Sequence, residues 1–156
     1  MELLHNTPLL AALFGILIAQ FVKIPIHFIA TKEMDWGLFT STGGMPSSHS
    51  AAVSALTTSI GFEYGLSSPL FAICVIFSVI VMFDATGIRY QAGQQAVVIN
   101  QMRKDFQTFI IKSKESPDKN PVQKIEDLKT LLGHRPIEVF FGCLTGILIS
   151  IIIYTV

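Results

Sequence analysis

The placement of its cations restricts what this chain can fold into more than any other feature. All eleven Lys and Arg residues lie at positions 23, 32, 89, 103, 104, 112, 114, 119, 124, 129 and 135. The first 22 residues, the stretch 33–88 and the last 21 residues hold none. These cation-free stretches are largely apolar. Only 14% of the chain is charged, against roughly 25% in soluble domains, and the mean hydropathy is +0.57. Such a chain belongs in a bilayer. At 156 residues it has room for a single membrane-embedded domain, residues 1–156.

Four segments are candidates to cross. The first covers about residues 8–29 and is interrupted by Gln20, Lys23 and His27. The second begins near Pro46 and continues through "SAAVSALTTSIGF". The third, "PLFAICVIFSVIVMF", starts at Pro69 and meets Asp84, and the fourth runs from Pro136 to the C-terminus. A helix needs about 20 residues to span some 30 Å of hydrocarbon. The expected fold is therefore all-α, an integral membrane bundle of about four transmembrane helices. Small residues in the second segment let neighbours approach closely, which makes it the inner helix and also allows a homodimer.

Four crossings put residues 30–45 and 90–135 on one side, and residues 62–68 with both termini on the other. The first side carries nearly all the cations and the second none. By the positive-inside rule the basic side is cytoplasmic and the termini lie outside, as expected of a multi-pass cell-membrane protein. Residues 101–135 form the polar cytoplasmic segment. Within it "SKESPDKNP" reads as a loop. Asn120 can then cap a short amphipathic helix that starts at Pro121, lines one face with Val122, Ile125, Leu128, Leu131 and Leu132, and ends at Gly133, lying at the cytoplasmic interface or packed over the bundle. Cys74 and Cys143 sit in apolar runs and act as small hydrophobes, with no disulfide or zinc spacing. The N-terminus lacks the basic flank and cleavage site of a signal peptide, so the first apolar run is expected to remain. No nucleic-acid partner is expected.

Polar groups in membrane segments are costly, so each is a functional candidate. Lys23, "GGMPSSHS" at 43–50, "DATGIRYQAGQQ" from Asp84 and "GHRPIEVFFG" from Gly133 all fall at the same end of the four-crossing bundle. In the second of these, Pro46 suits a first helical turn, and the amides of Ser47, Ser48 and His49 would be open donors where the helix dipole favours an anion. An ordinary helix cap fits the same residues equally well. Glu138, four residues after His134, can hold one nitrogen of that imidazole and leave the other as a nucleophile; the pair could equally anchor a helix end. Lys23 is either a lysine reaching to the interface or a clamp on a phosphate, and Arg89 suits phosphate oxygens. Asp84 would pair with one of these cations or a hydroxyl. Gln91, Gln94, Gln95 and Asn100 read as interhelical hydrogen-bonding groups, and His5 and His27 as structural.

Taken together, these residues resemble the type 2 phosphatidic acid phosphatase family, specifically its divergent bacterial and plastid branch; the wider superfamily includes the vanadium haloperoxidases. The family signature is Lys, six residues, Arg-Pro; then Pro-Ser-Gly-His; then Ser-Arg, five residues, His, three residues, Asp. Pro46-Ser47-Ser48-His49 resembles the second part, with Ser48 in place of Gly. His134-Arg135-Pro136-Ile137-Glu138 resembles the end of the third, with Glu for Asp. "GGMPSSHSA", "DATGIR" and "LGHRPIEV" match at the level of the branch. The resemblance implies a lipid phosphatase that needs no metal or other cofactor and acts on a membrane lipid carrying a phosphate head group. It implies His134 as nucleophile, His49 as acid for the leaving group and Glu138 as the group orienting His134. Lys23, Ser47 and Arg89, with Ser48 beside them, would bind phosphate. Ala30-Thr31 stand where the family has Arg-Pro, and Asp127-Leu128 where it has Ser-Arg. Arg89 and Lys129 are candidate substitutes for the lost arginines.

Overall fold

A computed structural model of the chain describes residues 2–41, 43–113, 128 and 133–156. Five α-helices account for most of them: α1 (Thr7–Thr31), α2 (Ser48–Tyr64), α3 (Pro69–Thr86), α4 (Ile88–Ser113) and α5 (Pro136–Thr155). No strand occurs among the described residues. Local chemistry sets the starts. Asn6 Oδ1 accepts from Leu9 N at 3.0 Å and Ser68 Oγ from Phe71 N at 3.1 Å, each satisfying a backbone donor that the helix leaves open. α1, α3 and α5 all carry proline in the first turn, where its missing N–H costs nothing. α1 closes on Lys32, whose φ of 63° turns the chain away.

α2 is the inner helix, as its small residues suggested. α1 and α3 run antiparallel to it, and α5 parallel. Gly15 of α1 sits against the Ala51 carbonyl, and on α5 Gly142 and Gly146 press against the Ser47 and Ala51 carbonyls so closely that a Cβ would overlap them. Dispersion at this short range, rather than a hydrophobic effect between helices, is what joins helices in lipid. Buried and half-buried hydroxyls add cross-links: Ser59 Oγ to Ser150 Oγ at 2.8 Å, Thr57 Oγ1 to Ser78 Oγ at 2.8 Å, and Ser78 Oγ to Val53 O at 3.2 Å. The outer helices turn their large apolar residues outward, as Phe14 and Phe21 on α1, Ile73, Ile76 and Phe77 on α3, and Phe140 and Leu148 on α5 do. α1, the α3–α4 stretch Pro69–Ile110 and α5 are long and apolar enough to cross a membrane. α2, at 17 residues, packs against α1, α3 and α5, with its Ser48–Ala55 half largely buried. The chain is thus an all-α membrane bundle.

Two elements differ from the sequence expectation. α4 occupies 26 residues that looked like a polar connection. Gln91, Gln94 and Gln95 on it are exposed rather than engaged between helices, while Asn100 is buried, its side chain bonded to the backbone of Leu128 in both directions at 3.0 Å. The amphipathic helix expected after Pro121 lies outside the described residues, apart from Leu128.

Candidate active site

The helix directions bring the C-terminal ends of α1 and α3 together with the N-terminal ends of α2, α4 and α5. Two backbone hydrogen bonds lock this end. His134 N donates to Ala85 O at 2.9 Å, docking the segment before α5 onto the last turn of α3, and Ser47 N donates to Glu138 O at 2.9 Å, tying α2 to α5. Gly133 takes a φ of +79°, and a side chain there would collide with the backbone of Arg89 and Tyr90. Only glycine lets the chain pass α4 this closely and still turn His134 inward.

A cavity of about 310 Å³ opens at this junction, lined by His49, Asp84, Arg89, Gly133 and His134 with Ile80, Val81 and Ala85. Residues from α2, α3, α4 and the entry to α5 therefore share one space. His134 is 2% exposed. Its Nδ1 lies 2.9 Å from Glu138 Oε2. An ionised carboxylate can only accept, so Nδ1 carries the hydrogen and Nε2 of a neutral ring keeps its lone pair. Nε2 is buried and has no hydrogen-bond partner. His134 precedes the first residue of α5 by two positions, so Glu138 reaches back from the helix to hold it.

His49, in the first turn of α2, is exposed and stands within electrostatic range of Arg89, His134, Lys23 and Asp84. Arg89 Nε lies 2.6 Å from Asp84 Oδ2, which engages one of the five N–H donors of the guanidinium. The remaining sequence candidates sit outside the cavity lining. Ser47 is fully buried and caps α2, its Oγ accepting from Ser50 N at 3.4 Å and from Ser50 Oγ at 3.0 Å. The helix thus starts two residues beyond Pro46 rather than at it. Of the amides expected to be open, that of Ser47 is taken by Glu138, while those of Ser48 and His49 have no acceptor within the helix. Lys23 is 2% exposed and does not line the cavity: its Nζ donates to Ser41 O at 3.0 Å, and it stands within electrostatic range of the Glu138 carboxylate. Asp127 and Lys129 lie outside the described residues.

Sequence reasoning did not single out Ile80, Val81 and Ala85, which complete the cavity wall, and took Gly133 for a helix terminator. The position of Gly133 immediately before a candidate nucleophile was the available sign of its role.

The model of the divergent PAP2 family matches residues 4–149. The chain belongs to that family. Over 153 residues, 98% of this chain and 97% of its relative, it is 56% identical to a protein of Bacillus subtilis (strain 168) called "Uncharacterized membrane protein YuiD". No solved structure matches the chain. The matched range takes in every residue of the cavity, so this divergent PAP2 member has both histidines and the carboxylate bonded to His134 inside the shared region.

Proposed function

We propose that the chain is a membrane lipid phosphatase that hydrolyses a phosphomonoester or diphosphate head group through a phosphohistidine. The observation that carries this reading is the buried, unpartnered Nε2 of His134, with Nδ1 held by Glu138, on a cavity shared with His49 and Arg89. A buried polar atom without a partner costs about 1–3 kcal/mol, and a nucleophile awaiting its electrophile accounts for that cost. Nε2 attacks phosphorus in line, a P–N bond forms and the P–O bond to the lipid alcohol breaks. Protonated His49 gives its proton to the departing oxygen. A water, deprotonated by the now neutral His49, then attacks the phosphohistidine; inorganic phosphate leaves and both imidazoles return to their starting states. Glu138 stabilises the positive charge on the His134 ring during transfer, while Arg89 and the amides of Ser48 and His49 face the phosphoryl oxygens. Lys23 acts behind them, through Glu138. The tail of the substrate stays in lipid, and the basic side of the bundle, with the site, faces the cytoplasm.

One observation favours a second reading, a member that binds phospholipid or serves as a scaffold without turnover. Arg89 is tied to Asp84 and Lys23 to the Ser41 carbonyl, so both candidate phosphate-binding cations already have partners. Purified protein in nanodiscs, offered phosphatidate, phosphatidylglycerophosphate and prenyl phosphates or diphosphates, separates the two. A phosphatase releases phosphate from at least one of them, and an alkaline quench traps label from a radioactive head group on His134, lost on acidification. Vanadate binding with no release from any of these lipids overturns the catalytic reading in favour of the second.

A further inference from the structure

The α3–α4 stretch holds 42 residues, roughly 63 Å of helix at 1.5 Å per residue. Hydrocarbon takes up about 30 Å, which the 18 residues of α3 nearly fill. α4, 26 residues long, must therefore continue beyond the crossing or lie along the membrane face. Among the described helices it packs only against α3, from which it is separated by Gly87.

The surface of α4 is two-sided. Ile99, Met102, Phe106 and Phe109 follow a three-four-three spacing that puts them on one face, and all are at least half exposed (50, 65, 64 and 66%). They line an open groove together with Arg103 and Asp105. Gln101, Lys104 and Thr108 project from the other side of the helix, and Asp105 borders the groove, its Oδ1 accepting from Gln101 Nε2 at 2.9 Å. Asn100, whose side chain grips the Leu128 backbone, stands roughly 100–180° around the helix from the four apolar residues. The segment held by Asn100 thus docks on a different side from the apolar face. On α3 the exposed residues Ile73, Ile76, Ile80 and Phe83 repeat the same three-four-three spacing, and exposed Ile88 at the start of α4 falls in line with the four apolar residues of that helix.

We propose that α4 lies along the bilayer on the side of the histidine cavity, with Ile99, Met102, Phe106 and Phe109 seated at the boundary between head groups and acyl chains. A surface that meets lipid along α3 meets it again past Gly87, and an amphipathic helix tethered at the membrane has no better place for its apolar stripe. Arg89 is in the first turn of α4 and lines the cavity, so the seat of this helix on the membrane sets where that guanidinium stands relative to His134. The inference holds whether or not the site turns over substrate.

Spin labels test it. Single cysteines are introduced at 99, 102, 106 and 109 and, as polar-face controls, at 101, 104 and 108, in a chain carrying Cys74→Ser and Cys143→Ser, and the labelled protein is reconstituted in nanodiscs. Collision with dissolved oxygen, which concentrates in lipid, should be severalfold favoured over collision with a water-soluble nickel chelate at the four apolar positions, and the reverse should hold at the controls. Equal access of the nickel chelate to both sets overturns the proposal, because the face is then in water. Shielding of the apolar set from both reagents overturns it too. If that shielding disappears in nanodiscs loaded with a single chain, the occupant is a second copy; if it persists, another part of the same chain covers the face.

Discussion

The two ends of the bundle use similar residues and finish them differently. At the end away from the cavity, Tyr154 Oη donates to Glu63 Oε1 at 2.7 Å, the Tyr154 and Phe62 rings stack at 5.1 Å, and Ser59 and Ser150 share a hydrogen bond of 2.8 Å. A carboxylate from α2 meets a side chain of α5, and both are satisfied. At the other end Glu138 again holds a ring, but here the second nitrogen of that ring is buried with nothing to bond, and an exposed imidazole and a guanidinium face the same cavity. A carboxylate–ring pair is therefore no mark of chemistry by itself. What separates the ends is an unfilled hydrogen-bonding capacity that the fold holds in place. Changes at the cavity end should then cost turnover with the fold retained, and changes at the far end should cost stability with turnover retained.

The sharpest test of that division is His134→Ala. Removing a covalent nucleophile should lower phosphate release at least about 10⁴-fold, while circular dichroism still reports the full helix content. Turnover within tenfold of wild type would erase the distinction between the ends. Glu138→Gln is the next largest. The amide can still accept from Nδ1–H, and the backbone carbonyl still receives Ser47 N, so packing is kept while the negative charge is lost. Without that charge the imidazole is held less firmly in its tautomer and its developing cation is unsupported, so kcat should drop by as much as about 10⁴-fold with KM nearly unchanged. A loss of thermal stability with kcat intact would make Glu138 an equivalent of Glu63.

The sequence made much of this arrangement legible, for reasons that differ by element. α1, α3 and α5 announce themselves because a lipid-facing helix must be apolar over its whole length, and α2 because a helix packed against three others must be small. Their common end followed from counting crossings, which is how His49, Asp84, Arg89 and His134 could be grouped from distant positions. α4 escaped notice because its apolar residues form a narrow stripe among glutamines and charges, and a polar average over such a stretch looks the same as a loop. The functions of hydroxyls and amines at the cavity end were also beyond reach. Ser47 reads the same whether it binds an anion or caps α2, and only the position of Ser50 decides. Lys23 could be imagined at the interface or on a phosphate, but its 18-residue reach to the Ser41 carbonyl depends on how α1 and the following loop fold together.

Between the two ends lies the α2–α5 seam, and Gly146→Val probes it. The new side chain would overlap the Ala51 carbonyl and the Ala55 amide, so α5 must move off α2 or leave its register. Overpacking of this kind costs about 1–3 kcal/mol, and here it presses on backbone, which places the expected loss at the upper end, about 3 kcal/mol. Because α5 carries Glu138 in its first turn, this substitution should weaken both ends together, lowering the melting temperature in detergent and turnover alike. A variant that melts early yet turns over normally would show that the site is held by the His134–Ala85 and Ser47–Glu138 bonds alone.

The smallest effect, and the one that isolates the far end, is expected from Tyr154→Phe. The ring and its stacking on Phe62 remain, and only the hydroxyl that donates to Glu63 is removed. A hydrogen bond to a charged acceptor is worth roughly 1.5–3 kcal/mol, but Glu63 is exposed and water can replace the lost donor, so the net cost should be nearer ~1 kcal/mol. A modest fall in melting temperature with phosphate release within about twofold of wild type is the expected outcome, since Tyr154 bonds and stacks at the end away from the cavity and the small-residue seam between the ends is untouched. A loss of turnover larger than the loss of stability would mean that α5 transmits strain along its length, and the two ends would have to be treated as one coupled device.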